Sequence, residues 1–142
     1  MVAEKSKAPL NLMEQVVMIL VFAFAAALCV QAFVVADGMS KEAYARDKAA
    51  VISQMVAETV KSQNGDKEQS ALLLEGTVTE NGILVGYTEA WETCSEEAAT
   101  YCAELMIKES DAYLSKGEVT VRETKTQKVI FSLPVSWQNL QR

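Results

Sequence analysis

The chain of 142 residues contains no histidine, only three cysteines and two prolines, and few aromatic side chains. Without histidine, the commonest general base is missing, as are the Ser-His and Cys-His nucleophile pairs and most zinc or iron sites. Cys29, Cys94 and Cys102 show no CxxC spacing, which argues against a metal knuckle. We therefore expect no catalytic residue, no metal site, no cofactor and no enzymatic activity.

Basic residues are also scarce, with 13 lysines and arginines against 19 acidic residues. The first 65 residues are balanced in charge, so the whole excess of six negative charges falls in residues 66–142. An acidic domain without a basic stripe repels phosphate backbones, and we therefore expect no nucleic-acid partner.

What the sequence does contain is a long apolar run, from Val16 to Ala36, with no formal charge and with Gln31 as its strongly polar member. As a helix, this run would be about 31 Å long, which matches the hydrocarbon core of a bilayer. It is apolar all round, unlike the core helix of a soluble protein. We predict a transmembrane helix over residues 10–36 in contact with membrane lipid, preceded by a short cytoplasmic leader or tail at residues 1–9.

The charges beside this run leave its orientation open. Lys5 and Lys7 precede the run, but Lys41, Arg46 and Lys48 follow it closely, so the positive-inside rule does not decide the topology. The acidic C-terminal domain and its cysteine pair favour an external C-terminus. We therefore predict a single-pass protein of the cell membrane, with a cytoplasmic N-terminus and an extracytoplasmic C-terminal domain.

Beyond the apolar run, residues 37–65 are predicted to continue the helix as an amphipathic segment. Apolar side chains recur there at three- and four-residue spacing, at Tyr44, Val51, Met55 and Thr59, with Ile52, Val56 and Val60 beside them. This face is expected to lie against a sheet. Asn64 and Gly65 supply a helix stop, so one helix should run from about Leu10 to about Asn64.

Residues 66–142 are predicted to form an antiparallel sheet domain behind a short second helix. Asp66 and Gln69 have the spacing of a helix cap, and the three leucines 72–74 are expected to pack inward. Thereafter the apolar period becomes two, in segments 83–88, 101–108, 119–122 and 129–135. Pro134 places the last strand at an edge. The predicted fold class is α+β, a long N-terminal helix packed on a small four-stranded antiparallel sheet.

The stretch from Lys7 to Phe33, KAPLNLMEQVVMILVFAFAAALCVQAF, resembles the type IV pilin and pseudopilin family. In that family a short basic leader precedes an apolar run whose fifth residue is glutamate, and Glu14 is fifth when counting starts at Leu10. Residues 25–33 have the shape of the family's small-residue tract, with Gln31 where proline is frequent. Pro9 stands at the position of the glycine that ends the family's leader, so cleavage of the leader stays open.

The resemblance implies a structural subunit of a type IV pilus-like filament or of a secretion or competence pseudopilus. Its helix, from Leu10 to Val35, would pack among the helices of like or related subunits, in the membrane or in a surface filament. Glu14 would neutralise the N-terminal amine of a neighbouring subunit. From the residues alone, Glu14 fits equally well as an interfacial glutamate in the first turn of a helix. Gln31 either bonds to another helix or is a tolerated polar residue.

Two further alternatives follow from the residues. Cys94 and Cys102 are predicted to form a disulfide that closes the loop between the first two predicted strands, and two free thiols are the alternative. Cys29 is expected to be a small apolar residue facing lipid. The alternative to an assembly subunit is a non-polymerising, single-pass module that presents its sheet and loops to a partner in the cell envelope.

Overall fold

The computed structural model describes residues 2–140, with side chains from residue 8 onward. The chain divides into two compact units, Met1–Glu42 and Ala43–Arg142. Helix α1, Val2–Ser62, supplies the described part of the first unit and the beginning of the second. It starts earlier than the predicted Leu10, since residues 2–9 are also helical and Pro9 lies inside the helix. Met1 of the predicted leader lies outside the described residues.

In the first unit, every side chain from residue 8 to residue 42 is exposed. By length and composition, α1 can cross a membrane, and its apolar part is not buried by any described residue. This finding is compatible with single-pass anchoring, as the uncharged run predicts.

The second unit confirms the α+β class, but the sheet in the described residues has six strands where four were predicted. The strands are β1 (Thr77–Val78), β2 (Gly82–Tyr87), β3 (Thr93–Cys94), β4 (Tyr101–Ser110), β5 (Leu114–Glu123) and β6 (Val129–Gln138). The four longer strands correspond to the four predicted ones. β1 and β3 were missed because two residues are too few to show an alternating pattern.

All strand pairs are antiparallel, and their order across the sheet is β1-β2-β4-β5-β6. β3 also pairs with β2, beside β1 on the same edge. The chain must therefore pass from β3 across the face of β2 to reach β4. β6 ends the order at the other edge, where Pro134 was expected.

The core lies between one face of the sheet and the last third of α1. The helix contributes Ala49, Ile52, Ser53, Val56, Ala57 and Val60, and the sheet contributes Ile83, Val85, Tyr87, Ala103, Leu105, Val119, Val121, Val135 and Trp137. The prediction for Ile52, Val56 and Val60 is confirmed. The prediction that Tyr44, Val51 and Met55 face the sheet is wrong, since their side chains are 58%, 62% and 44% exposed.

The physical reason for that error is side-chain size. The buried positions 49, 53 and 57 carry alanine, serine and alanine, and the Ser53 hydroxyl donates a hydrogen bond to the Ala49 carbonyl oxygen, 2.8 Å away. Small side chains let the helix approach the sheet closely, so the sheet packs on the sector that carries residues 49, 53 and 57 together with Ile52, Val56 and Val60. A pattern of large apolar residues alone therefore does not show which of two neighbouring apolar sectors of this helix faces the sheet.

Helix α2, Lys67–Leu74, follows Gly65 directly, and its start is set by Asp66. The Asp66 carboxylate accepts hydrogen bonds from the backbone N–H groups of Glu68 and Gln69, at 3.0 and 3.3 Å, which confirms the predicted cap. Of the three leucines, only Leu74 is buried, so inward packing of the other two is contradicted. Gly76 donates its N–H to the Ala71 carbonyl oxygen, and this bond closes the end of α2.

Asp66→Ala is expected to lower the free energy of unfolding of the sheet domain by about 1 kcal/mol, because two N–H groups at the start of α2 lose their acceptor. Asp66→Asn keeps an acceptor oxygen and should lower the free energy of unfolding by only a few tenths of that amount. Denaturant unfolding, followed by tryptophan fluorescence, measures both variants. Equal losses of unfolding free energy in the two variants would show that the negative charge of Asp66, and not its hydrogen bonds, stabilises the start of α2.

Candidate functional site

The predicted assembly residues all lie on the exposed surface of α1. Leu10 is 70% exposed, and Glu14 and Gln31 are exposed as well. Leu10 and Glu14 are one helical turn apart and share a face, whereas Gln31 lies several turns farther along. Helix α1 therefore brings Leu10 and Glu14 together, whereas Gln31 lies at a different depth of the predicted membrane span.

The carboxylate of Glu14 forms no ion pair with any described residue. A carboxylate at the edge of a bilayer is costly unless it is paired or reaches water. The described part of the chain supplies no such partner. A cation for Glu14 would therefore have to come from outside the side chains of residues 8–140.

A second apolar surface lies on α1 within the sheet domain, on the side away from the core. It consists of Tyr44, Val51 and Met55, which we call the outer stripe. At about 100° per residue, the three side chains fall within a narrow sector on the helix surface. The ammonium group of Lys48 lies over the Tyr44 ring, 5.6 Å from its centroid, and extends the stripe with a cation–π contact.

Charged residues border the outer stripe asymmetrically. Asp47 and Glu58 lie on one side of the sector and Lys48 on the other, as follows from the helical rotation between these positions. All three are exposed. The surface is thus an apolar strip with an acidic margin and a basic margin.

The cysteines predicted to form a disulfide are free, and no disulfide is seen in the described residues. Cys94 is the register partner of Gly86 in the β2–β3 pair, and Cys102 is the partner of Gly86 in the β2–β4 pair. Gly86 therefore lies between them, which the eight-residue spacing could not reveal. Cys29 is exposed on α1.

The pKa values of Tyr87, Tyr101 and Glu118 in the sheet domain are shifted from their ordinary values. Burial raises the pKa of Tyr87 to about 12, because the ionised phenolate would lose its hydration. Burial, followed by the charges of Glu123 and Glu89, raises the pKa of Tyr101. Hydrogen bonds from Lys108 and Ser132 lower the pKa of Glu118. Within the described residues, no group of three cysteine or acidic side chains is arranged to hold a metal ion.

The outer face of the sheet carries one mixed cleft of about 640 Å³. It is lined by Leu84, Glu96, Glu97, Cys102, Glu104, Arg122, Thr124 and Gln127. Arg122 donates to the Glu104 carboxylate at 3.1 Å, and the Cys102 sulfur lies 3.4 Å from the Thr124 hydroxyl. The single guanidinium is thus neutralised within the cleft.

The sequence pattern identified the residues of the outer stripe but assigned them to the core. It did not indicate that Gly86 lies between the two sheet cysteines. For the stripe, the small residues at positions 49, 53 and 57 were the available signal. For Gly86 no local signal exists, because its role depends on two strands that are distant in sequence from each other. Comparison of the chain with protein-family models, curated proteins and solved structures gives no match.

Proposed function

We propose that this chain is a membrane-anchored structural subunit of a pilus-like or pseudopilus-like assembly. In this proposal the N-terminus is cytoplasmic, the sheet domain is outside the membrane, and α1 packs among the helices of like subunits. The outer stripe is the observation that carries the proposal. A simple anchor accounts for an apolar helix inside lipid, but it gives no reason for apolar residues facing water beyond it.

The arrangement of the stripe suits another helix as its partner. Tyr44, Val51 and Met55 are separated by seven and four residues, the spacing of one seam of a coiled coil. Helices anchored in one membrane with the same orientation are parallel to each other. A second copy of α1 could therefore place its own stripe against this one in register.

The charged margins support the same partner. When two parallel helices face each other through equivalent surfaces, the left margin of one meets the right margin of the other. Asp47 of one copy would then lie close to the level of Lys48 of the second copy, on both sides of the contact. Such pairs contribute little to affinity at the surface, but they favour the parallel, in-register arrangement.

The test is photo-crosslinking of the full-length chain in its native membrane, with a benzophenone amino acid at Val51. A crosslinked dimer is expected from position 51. Arg46 is the matched control position, because it is exposed on the same helix but lies away from the stripe, and it should give little dimer. Burying a methionine side chain contributes about 1.5–3 kcal/mol, so Met55→Asp, which removes an apolar side chain from the same seam, should reduce the dimer from position 51 by about tenfold or more.

Two other outcomes separate the competing functions. Equal and weak crosslinking from positions 51 and 46 would favour the non-polymerising module. In an assembly of the proposed kind, Glu14→Ala should also reduce crosslinking, because Glu14 would pair with a neighbouring subunit. If the Glu14→Ala variant crosslinks as strongly from position 51 as the wild-type chain does, the lateral contact between helices is supported and the proposed pairing of Glu14 is contradicted.

A further inference from the structure

Cys94 and Cys102 point to the same face of the sheet on either side of Gly86. Residues that are register partners share a face, and both cysteines are partners of Gly86. Their Cα atoms are separated by two strand spacings, about 9.6 Å. A disulfide requires Cα atoms within about 7 Å. The pair is therefore aligned for bonding but about 3 Å too far apart.

The chain between the two cysteines crosses the face of β2 at Gly86. A Cβ atom on Gly86 would lie 2.9 Å from the Cys94 carbonyl oxygen, 3.0 Å from the Ala99 Cβ and 3.2 Å from the Ser95 carbonyl oxygen. Only glycine leaves room for this crossing. A bridge between the sulfur atoms requires the same space, so it cannot form while residues 94–99 keep this path.

β3 is held to the sheet by few interactions. It has two residues, paired with Gly86 and Tyr87, and the Thr93 hydroxyl donates to the Glu75 carboxylate. The turn before it places Trp91 at φ 63°, a left-handed conformation that costs a non-glycine residue roughly 1–2 kcal/mol. The Trp91 ring stacks on Tyr101, with centroids 4.1 Å apart. Apart from this ring stack, β3 and the turn before it combine weak strand pairing with local backbone strain. Segments with few stabilising interactions open readily.

We propose that Cys94 and Cys102 form a redox switch, in which oxidation detaches β3 from β2 and draws residues 94–99 towards β4. The oxidant is a disulfide, either of a small thiol or of a protein. The more exposed Cys94 thiolate attacks one sulfur of that disulfide, and one thiol is released. The Cys102 thiolate then attacks the Cys94 sulfur and releases the second thiol. Two electrons pass to the oxidant, which leaves as two thiols.

The movement would alter the cleft on the outer face. Cys102 lies in the wall of this cleft, and Glu96 and Glu97 line it from the crossing segment. Drawing that segment towards Cys102 brings both carboxylates across the cleft. The oxidised and reduced forms would therefore present different acidic surfaces.

The experiment uses the full-length chain in detergent with Cys29→Ala, so that the two sheet cysteines are the only thiols. Glutathione disulfide is the oxidant, and intact mass follows the reaction. The expected product is two mass units lighter than the reduced chain and carries no glutathione. Hydrogen exchange of the peptide containing residues 88–99 should become about tenfold faster or more on oxidation, because the β2–β3 pairing is lost. The Cys102→Ser variant should stop at the glutathione adduct of Cys94 and keep slow exchange.

Two results would overturn the proposal. A Cys29→Ala chain with both sheet cysteines that stays as the glutathione adduct would show that Cys102 cannot reach Cys94. An internal disulfide that forms without any change in exchange at residues 88–99 would show that β3 does not move. Since neither measurement depends on self-association, failure here is distinguishable from failure of the assembly proposal.

Discussion

Gly82→Ala is expected to unfold the sheet domain, with a loss of about 4 kcal/mol or more in the free energy of unfolding. Gly82 begins β2 and is the register partner of Met106. A Cβ atom at Gly82 would lie 1.6 Å from the carbonyl oxygen of Leu105 and 2.7 Å from its carbonyl carbon. Both are backbone atoms of a central strand, so no side-chain rotation relieves the overlap.

Tryptophan fluorescence during denaturant unfolding is the appropriate measurement, because both tryptophans, Trp91 and Trp137, lie in the sheet domain. Gly38→Ala is the matched control. No atom lies within 4 Å of a Cβ at Gly38, which is inside α1, and alanine should favour the helix by about 0.5–1 kcal/mol. The fluorescence transition of Gly38→Ala should therefore stay at the wild-type position. A Gly82→Ala chain with the wild-type midpoint would contradict the close pairing of β2 with β4.

Leu105→Ala is expected to cost about 2–5 kcal/mol, because it leaves a cavity at the centre of the core. Leu105 is 1% exposed and is the register partner of Ile83 on one side and of Val119 on the other. These partners are also fully buried, so the surrounding backbone has little freedom to close the cavity.

The next residue, Met106, provides the control for this substitution. It points to the opposite face and is 44% exposed, so Met106→Ala should cost less than about 1 kcal/mol. The same fluorescence experiment compares the two variants. Equal losses would mean that β4 does not separate a core face from a solvent face at these positions.

The amino-acid sequence by itself determined the features that depend on local chemistry. The uncharged run from Val16 to Ala36 determines an apolar helix of bilayer length, since nearly all of its residues are apolar and none is charged. The alternation of apolar residues determines the four longer strands and their buried faces, because successive side chains in a strand point to opposite sides. Asp66 determines where α2 begins through its own hydrogen bonds.

Only the tertiary structure decided which side of α1 faces the sheet, where β1 and β3 pair, and how far apart the two sheet cysteines lie. Each of these depends on the distance between segments that are separated in sequence. Small residues at positions 49, 53 and 57 let the sheet approach that side of α1 closely, which leaves Tyr44, Val51 and Met55 exposed. Strand β2 lies between Cys94 and Cys102 at the position of Gly86, and no spacing along the chain encodes that separation.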